Sequence, residues 1–567
     1  MQFYSRNLLV VFLLCFCFFA SVAQNKQEER ELPPVSSTYA ITNAIIIQSP
    51  GKNIGRGNVV LKDGLIVAVG KNAVAPADAI LINGDSLYVY AGFIDGLTRN
   101  GVSKPKEETS KERPKDPGNP LPEQAGITPQ QDVRSTINPE EKSINEFRAL
   151  GFTAAQVVPY GGFLPGTASI ILFNDESATD MVLAEQSSFF SELVPAQRVY
   201  PNTVIAVIAK WRELYAQALQ AKNYEKVYAS NRSGLTRPAD NQILEAFYPV
   251  IARSIPVLFE ADKYLETQRV ISLQNELGFS LVLGDIKEGW NAIPSIRSAG
   301  AKVFLSLDLP EDKKFEPKPE KEKEKKKTSD EDAKKDPEKE ALEKRKEEAI
   351  QTYTAQAATF SKAGIPFGFS TLSVKATDVQ KNLRRMIAAG LTEDQALAAL
   401  TTMPAAILGL SDRLGTIETG KIANLVLSDK PYFSEKAKVK YVFVDGVMFK
   451  YEPKDDPKKE TSTSVDISGT WTITTENPDG KFEDQVTFSK DGNSFSGSIT
   501  GARFSEAVNL ENIELIDKQL KFSYTTQAEG QSMKVDVDVT VEGDTLKGTA
   551  SSAGKTFTIT GKKNPKK

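Results

Sequence analysis

Ile255-Pro256-Val257-Leu258-Phe259-Glu260, the helical stretch Leu265 to Gly278, and Ser280-Leu281-Val282-Leu283 follow one another without interruption. A short apolar run, a helix and a second short apolar run make a β-α-β unit, in which the strands are parallel and buried on both faces. The same alternation extends outward in both directions. Ala154 to Val158, Lys302 to Leu307 and Phe367 to Ser370 are further strands, and Val204 to Ala221 is a further helix. Thr392-Glu393-Asp394-Gln395 is a capping box ahead of Ala396, Leu397 and Leu400. Pro404 then restarts a short helix that Gly409 ends. Two glycine-punctuated β stretches, Tyr39 to Val89 and Gly415 to Phe449, flank the alternating region and predict one small β domain built from both of its ends.

The chain has 567 residues, which at roughly 100 to 200 residues per domain allows two to four domains. Its net charge is -4, so it offers no general basic field to nucleic acid or anionic lipid. It contains no histidine at all. That excludes a histidine general base, a Ser/His/Asp triad and every metal site needing imidazole. At the N-terminus, Arg6 precedes the 13-residue apolar run Leu8 to Ala20, and Ser21-Val22-Ala23 supplies the small residues of a cleavage site. Residues 1–23 are thus expected to be a signal peptide, and the protein to be exported to the periplasm or beyond, with no membrane span in the mature chain. Cys15 and Cys17 both lie in this leader, so the mature chain would lack thiols.

Two tracts are too polar to join a core. Residues 103–126 are rich in Lys, Glu and Pro, and residues 311–348 carry 14 basic and 15 acidic side chains. Both are expected to be solvated insertions, the second with some helix from Ala341 to Ile350. A polar linker, Glu452 to Ser464, precedes residues 465–567, whose short strands alternate strictly. Met533, Val535, Val537, Val539 and Val541 are separated by Lys534, Asp536, Asp538 and Thr540, and Leu520, Phe522 and Tyr524 repeat the pattern. About eight such strands predict an antiparallel up-and-down barrel or closed sandwich. Gly469-Thr470-Trp471 resembles the Gly-x-Trp entry of lipocalin-like barrels, with Trp471 read as a core plug rather than a ligand platform.

Ile41-Thr42-Asn43-Ala44, Val60 to Ile66 and Ala91-Gly92-Phe93-Ile94-Asp95 resemble the opening of the amidohydrolase superfamily, including its imidazolonepropionase-like branch. Leu414 to Val426 and Val444-Asp445-Gly446 are similar to its closing segment, and Leu150 to Thr153 and Pro256 to Lys263 to its barrel. The resemblance spans most of Tyr39 to Tyr451. It implies a (β/α)8 barrel over 91–414, a composite β-sandwich from 39–90 and 415–452, and an active site at the C-terminal ends of the strands. It also implies metal-assisted hydrolysis of non-peptide carbon–nitrogen bonds. The family's ligands are a histidine pair after strand 1, single histidines after strands 5 and 6, and an aspartate after strand 8. Here the pair falls on Leu97 and Arg99, the strand 5 position on Glu260, the strand 6 position at or next to Gly284, and the aspartate on Leu372.

No cofactor is therefore expected, and the leading reading is an exported, catalytically inactive member that acts as a binding or structural partner, of an active paralogue or of a small molecule. Two other readings stand beside it. Asp95, Glu260, Asp285 and Asp308 all lie at or just after strand ends, so a histidine-free hydrolase could draw acid and base from them, with Arg99 as a counter-ion. Alternatively the C-terminal β domain is the ligand binder. The glycines and the aspartate of Gly92-Phe93-Ile94-Asp95 are read as requirements of the fold.

Overall fold

The computed structural model describes residues 38–105, 116–311, 337–451 and 466–564, except positions 478–479, 492–493, 503, 505, 517, 529–530 and 553–554. The expected leader, the linker 452–464 and most of the charged tract 311–348 lie outside the described residues, as do 106–115 of the first insertion. Contacts divide the chain into two units, Met1–Pro453 and Lys454–Lys567.

The first unit opens with β1 (Tyr39–Ser49), β2 (Lys52–Lys62), β3 (Leu65–Gly70), β4 (Ile80–Asn83) and β5 (Tyr88–Ala91). One residue later β6 (Phe93–Thr98) starts the barrel, followed by β7 (Phe152–Val157), β8 (Gly166–Leu172), β9 (Val182–Ser191), β10 (Val257–Glu260), β11 (Leu281–Ile286), β12 (Lys302–Ser306) and β13 (Phe367–Ser370). The chain then returns through β14 (Leu425–Ser428), β15 (Val439–Val444) and β16 (Val447–Lys450). β14 pairs antiparallel with β5, Leu425 opposite Ala91, so the two flanks form one eight-stranded sheet. Its own core contains Ile41, Ile46, Val59, Leu61, Val89, Leu425, Leu427 and Phe443.

The barrel sheet has eight strands in chain order, with β6 and β13 at the ends of the hydrogen-bonded path. These two ends meet through side chains: Ser370 Oγ lies 2.8 Å from the Leu97 carbonyl, and the Thr371 N–H donates to Asp95 Oδ1 at 3.1 Å. One strand departs from the (β/α)8 scheme that the resemblance implies. β8 pairs antiparallel with both β7 and β9, while the other pairs are parallel. The loops on either side of β8 hold no helix, and a parallel return needs a crossover of a dozen or more residues. After β9 the helix Val204–Ser230 restores the alternation.

The predicted capping box forms, with the Gln395 N–H donating to Thr392 Oγ1 and the Thr392 N–H to Gln395 Oε1. The helical part of the charged tract runs over Pro337–Thr354. The end of the first insertion is not a bare solvated loop: Ala125 and Ile127 are buried, and the Tyr200 N–H donates to the Pro117 carbonyl. Burial of two apolar side chains fixes that end on the barrel.

In the second unit, β17 (Gly469–Asn477), β18 (Gly480–Asp491), β19 (Ser494–Gly501), β20 (Val508–Asn509), β21 (Glu511–Ile516), β22 (Gln519–Ala528), β23 (Gln531–Glu542), β24 (Thr545–Ser552) and β25 (Lys555–Lys563) pair antiparallel with their neighbours, and β25 returns to β17. β20 and β21 are two pieces of one segment that spans the gap between β19 and β22. The inward positions Val535, Val537, Val539 and Val541 are buried with Leu520, Phe522 and Tyr524. Trp471 is 1% exposed and its indole N–H donates to the Ile467 carbonyl at 2.8 Å, as a core plug requires.

Candidate functional site at the barrel mouth

Part of the barrel interior is hydrocarbon. Leu97, Val158, Ala168, Phe190, Leu258, Val282 and Phe304 form one buried cluster, with Leu372 packed against it. Leu97 is fully buried, and a Cβ placed on Gly284 would lie 2.4 Å from its Cδ2. The leucine on strand β6 therefore occupies the space that any side chain at position 284 on β11 would need. Gly92 is constrained in the same way by Thr153 Oγ1, which would lie 2.2 Å from a Cβ at position 92; this fits its reading as a requirement of the fold.

Above this plug the polar side chains fall into three groups. Asp95 and Asp285, both fully buried, sit among hydroxyls. Asp95 accepts from the N–H groups of Leu97 and Thr371 and from Thr371 Oγ1. Burial nonetheless pushes its carboxyl up to about 7, against those hydrogen bonds and with help from the charge of Asp285. Asp285 lies at a register shift in β11 with φ +53°, and contacts Ser370 Oγ at 2.9 Å and Ser373 Oγ at 2.7 Å. Its carboxyl is also raised, by burial, against the hydroxyls of Ser373, Ser306 and Ser370 and the charge of Lys287. Ser370 Oγ has one proton and two acceptors in reach, the Leu97 carbonyl and Asp285 Oδ1. If the hydroxyl donates to Leu97, Asp285 satisfies the second contact only as a neutral acid.

The second group is Arg99, Glu192 and Glu260. The guanidinium of Arg99 is paired with Glu192, whose side chain is 7% exposed, and lies 4.9 Å over the Tyr160 ring and 5.8 Å over Phe190. Glu260, at the end of β10, shares a hydrogen bond with Glu192. Burial first, and Glu192 second, push Glu260 up to about 9, while Arg99 pulls it down. Glu260 is thus held well above the ordinary carboxylate range by burial and by the adjacent Glu192. The third group is more exposed: Asp308, its side chain 41% exposed, pairs at 2.8 Å with Lys287, whose charge also reaches Asp285.

Of the four carboxylates proposed from sequence, the structure brings Asp95 and Asp285 together, sets Glu260 beside them within electrostatic range of Asp285, and leaves Asp308 on an outer ion pair. Arg99 acts as a counter-ion, lowering the Glu260 carboxyl, but its direct ion-pair partner is Glu192, a residue the sequence pattern alone does not single out. Its signal is present, because Phe189-Phe190-Ser191-Glu192 is an apolar strand end followed by a carboxylate, like Leu258-Phe259-Glu260.

Residues 325–449 match the model of the amidohydrolase family. The barrel has the amidohydrolase fold. An amidohydrolase from Thermotoga maritima MSB8 shares its fold at a TM-score of 0.58, with 19% identity over 73% of this chain and all of that one. An adenosine deaminase from Xanthomonas campestris with bound zinc aligns at 14% identity over 72% of this chain and 92% of that one, TM-score 0.37. A molinate hydrolase aligns at 12% identity over 73% and 95%, TM-score 0.39. The last two superpose too loosely to add to the fold assignment. No curated protein sequence matches the chain.

The side chains at the positions where the resemblance places metal ligands are poor donors. Leu97 and Leu372 offer no lone pair, Gly284 no side chain, and Arg99 brings a positive charge committed to Glu192. Glu260 is the one donor left, and its carboxyl holds a proton that a ligand would have to lose. Among the described residues no group of three or more Asp or Glu side chains is arranged to hold an ion.

Proposed function

We propose that this chain is an exported amidohydrolase-fold protein that binds a partner or small molecule at its barrel mouth without hydrolysing it. The observation that carries this reading is the packing of Leu97 against Gly284, hydrocarbon at two places where the resemblance would put metal ligands. A hydrolytic water needs a metal or a strong base beside it, and burial raises the nearby carboxyls, Glu260 up to about 9 and Asp95 up to about 7. Export follows from the leader-like residues 1–23. The test is elemental analysis of the purified mature chain together with a screen of amides and cyclic amides. Sub-stoichiometric metal and no turnover are expected; one tightly bound zinc per chain, or turnover that a chelator abolishes, would overturn the proposal.

A second reading is favoured by the Glu192–Glu260 pair. Two carboxyls sharing a proton beside a guanidinium divide into an acid and a base, as a metal-free hydrolase requires. Hydrolysis that survives chelation and disappears in Glu260→Gln would establish that reading in place of the first.

A further inference from the structure

Beside the Arg99–Glu192 pair the mouth holds a cleft of about 220 Å³, formed where the ends of β6 and β13 approach the loop after β7. This volume suits a small organic molecule rather than a polymer. Arg99 and Lys104 line it together with Asn100 and Thr371, and among the described residues Glu141 is the one acid on its walls. Val102, Val374 and the ring of Tyr160 supply hydrocarbon. The guanidinium is fixed before any ligand arrives, by Glu192 on one nitrogen and by the Tyr160 and Phe190 faces. A guanidinium has five N–H donors, and a preformed planar cation loses little freedom when it binds a planar anion.

We propose that this cleft binds a small organic carboxylate, its carboxylate on Arg99 and Lys104 and its body against Val102, Val374 and Tyr160. The cations select an anion, and the hydrocarbon walls select an organic acid over inorganic phosphate. Arg99 is also where the resemblance places a metal ligand; its guanidinium keeps further N–H donors beyond the nitrogen that meets Glu192. The proposal rests on the non-hydrolytic binding reading given above.

Calorimetric titration of the full chain with N-acetylglycine, its neutral amide N-acetylglycinamide and inorganic phosphate tests it. Saturable binding of N-acetylglycine is expected, with the amide and phosphate weaker by about tenfold or more. Lys104→Gln should weaken N-acetylglycine by about tenfold, and Arg99→Lys, which keeps the charge and loses the planar fork, by a similar factor. Both variants keep a cation near Glu192 or leave that pair untouched, so they are expected to fold. No saturable heat with N-acetylglycine, phosphate binding as tightly, or wild-type affinity in both variants would overturn the site. Recovered glycine and acetate, with metal in the protein, would instead overturn the non-hydrolytic reading on which it rests.

Discussion

A methyl group at position 284 has nowhere to go while Leu97 keeps its rotamer. Gly284→Ala should therefore destabilise the barrel by roughly 1–3 kcal/mol through overpacking, and Leu97→Ala by about 2–5 kcal/mol through a cavity. Combined, the two should cost clearly less than their sum, because each removes the other's defect. Urea unfolding of the three variants checks this, and strict additivity would show that the two residues do not share the volume. The buried acids give a pH prediction at the same scale. Glu260, Asp95 and Asp285 have carboxyls raised on folding, so the folded chain holds protons that the unfolded chain has released. Their contribution is complete below the ordinary carboxylate range and is lost as pH rises, through about 7 for Asp95 and about 9 for Glu260. Stability should fall between pH 5 and 9, by up to about 1.4 kcal/mol per pH unit for each group in its window. Glu260 faces Glu192, Arg99 and Asp285, and Glu260→Gln should flatten the upper part of that fall. Denaturant midpoints at pH 5, 7 and 9 read it; a wild-type profile that rises with pH would contradict the protonated cluster. What the sequence makes legible here is side-chain chemistry: Leu97, Gly284 and Leu372 bring no side-chain donor to the strand ends, whatever the fold. The partner of Arg99 was not, because several carboxylates end strands and only the three-dimensional arrangement selects Glu192.

Elements were legible where a local rule settles them. The capping box at Thr392 and the strands of the second unit follow from side-chain chemistry and from the period of two. The direction of β8 was hidden, because Gly166–Leu172 is a continuous buried run and reads alike in a parallel or an antiparallel setting. Its direction comes from the absence of a crossover helix on either side. Within the second unit, Trp471 fills the interior at the start of β17. Trp471→Ala should cost roughly 3–5 kcal/mol, measured as a shift in the unfolding transition of that unit. A loss below about 1 kcal/mol would point to a side chain placed for a ligand rather than for packing.

At the scale of the molecule, the unit Lys454–Lys567 closes its own sheet around its own core, with β25 returning to β17. Residues 454–567 expressed alone should unfold in one cooperative transition. A non-cooperative melt, with dye-binding apolar surface at low temperature, would count against independence. The first unit has the opposite logic. β5 lies between β1 and β14, and β14 comes from the far end of the barrel sequence. During synthesis the flank that follows the barrel is the last part of this unit to be made, so Tyr88–Ala91 must wait with one edge unpaired while all of the barrel is assembled. An edge carrying Val89 and Tyr90 is a template for pairing with other chains. A ribosome that stalls before Leu425 would therefore release a sticky, incomplete product, and the nascent protein has reason to need a chaperone until its last hairpin arrives.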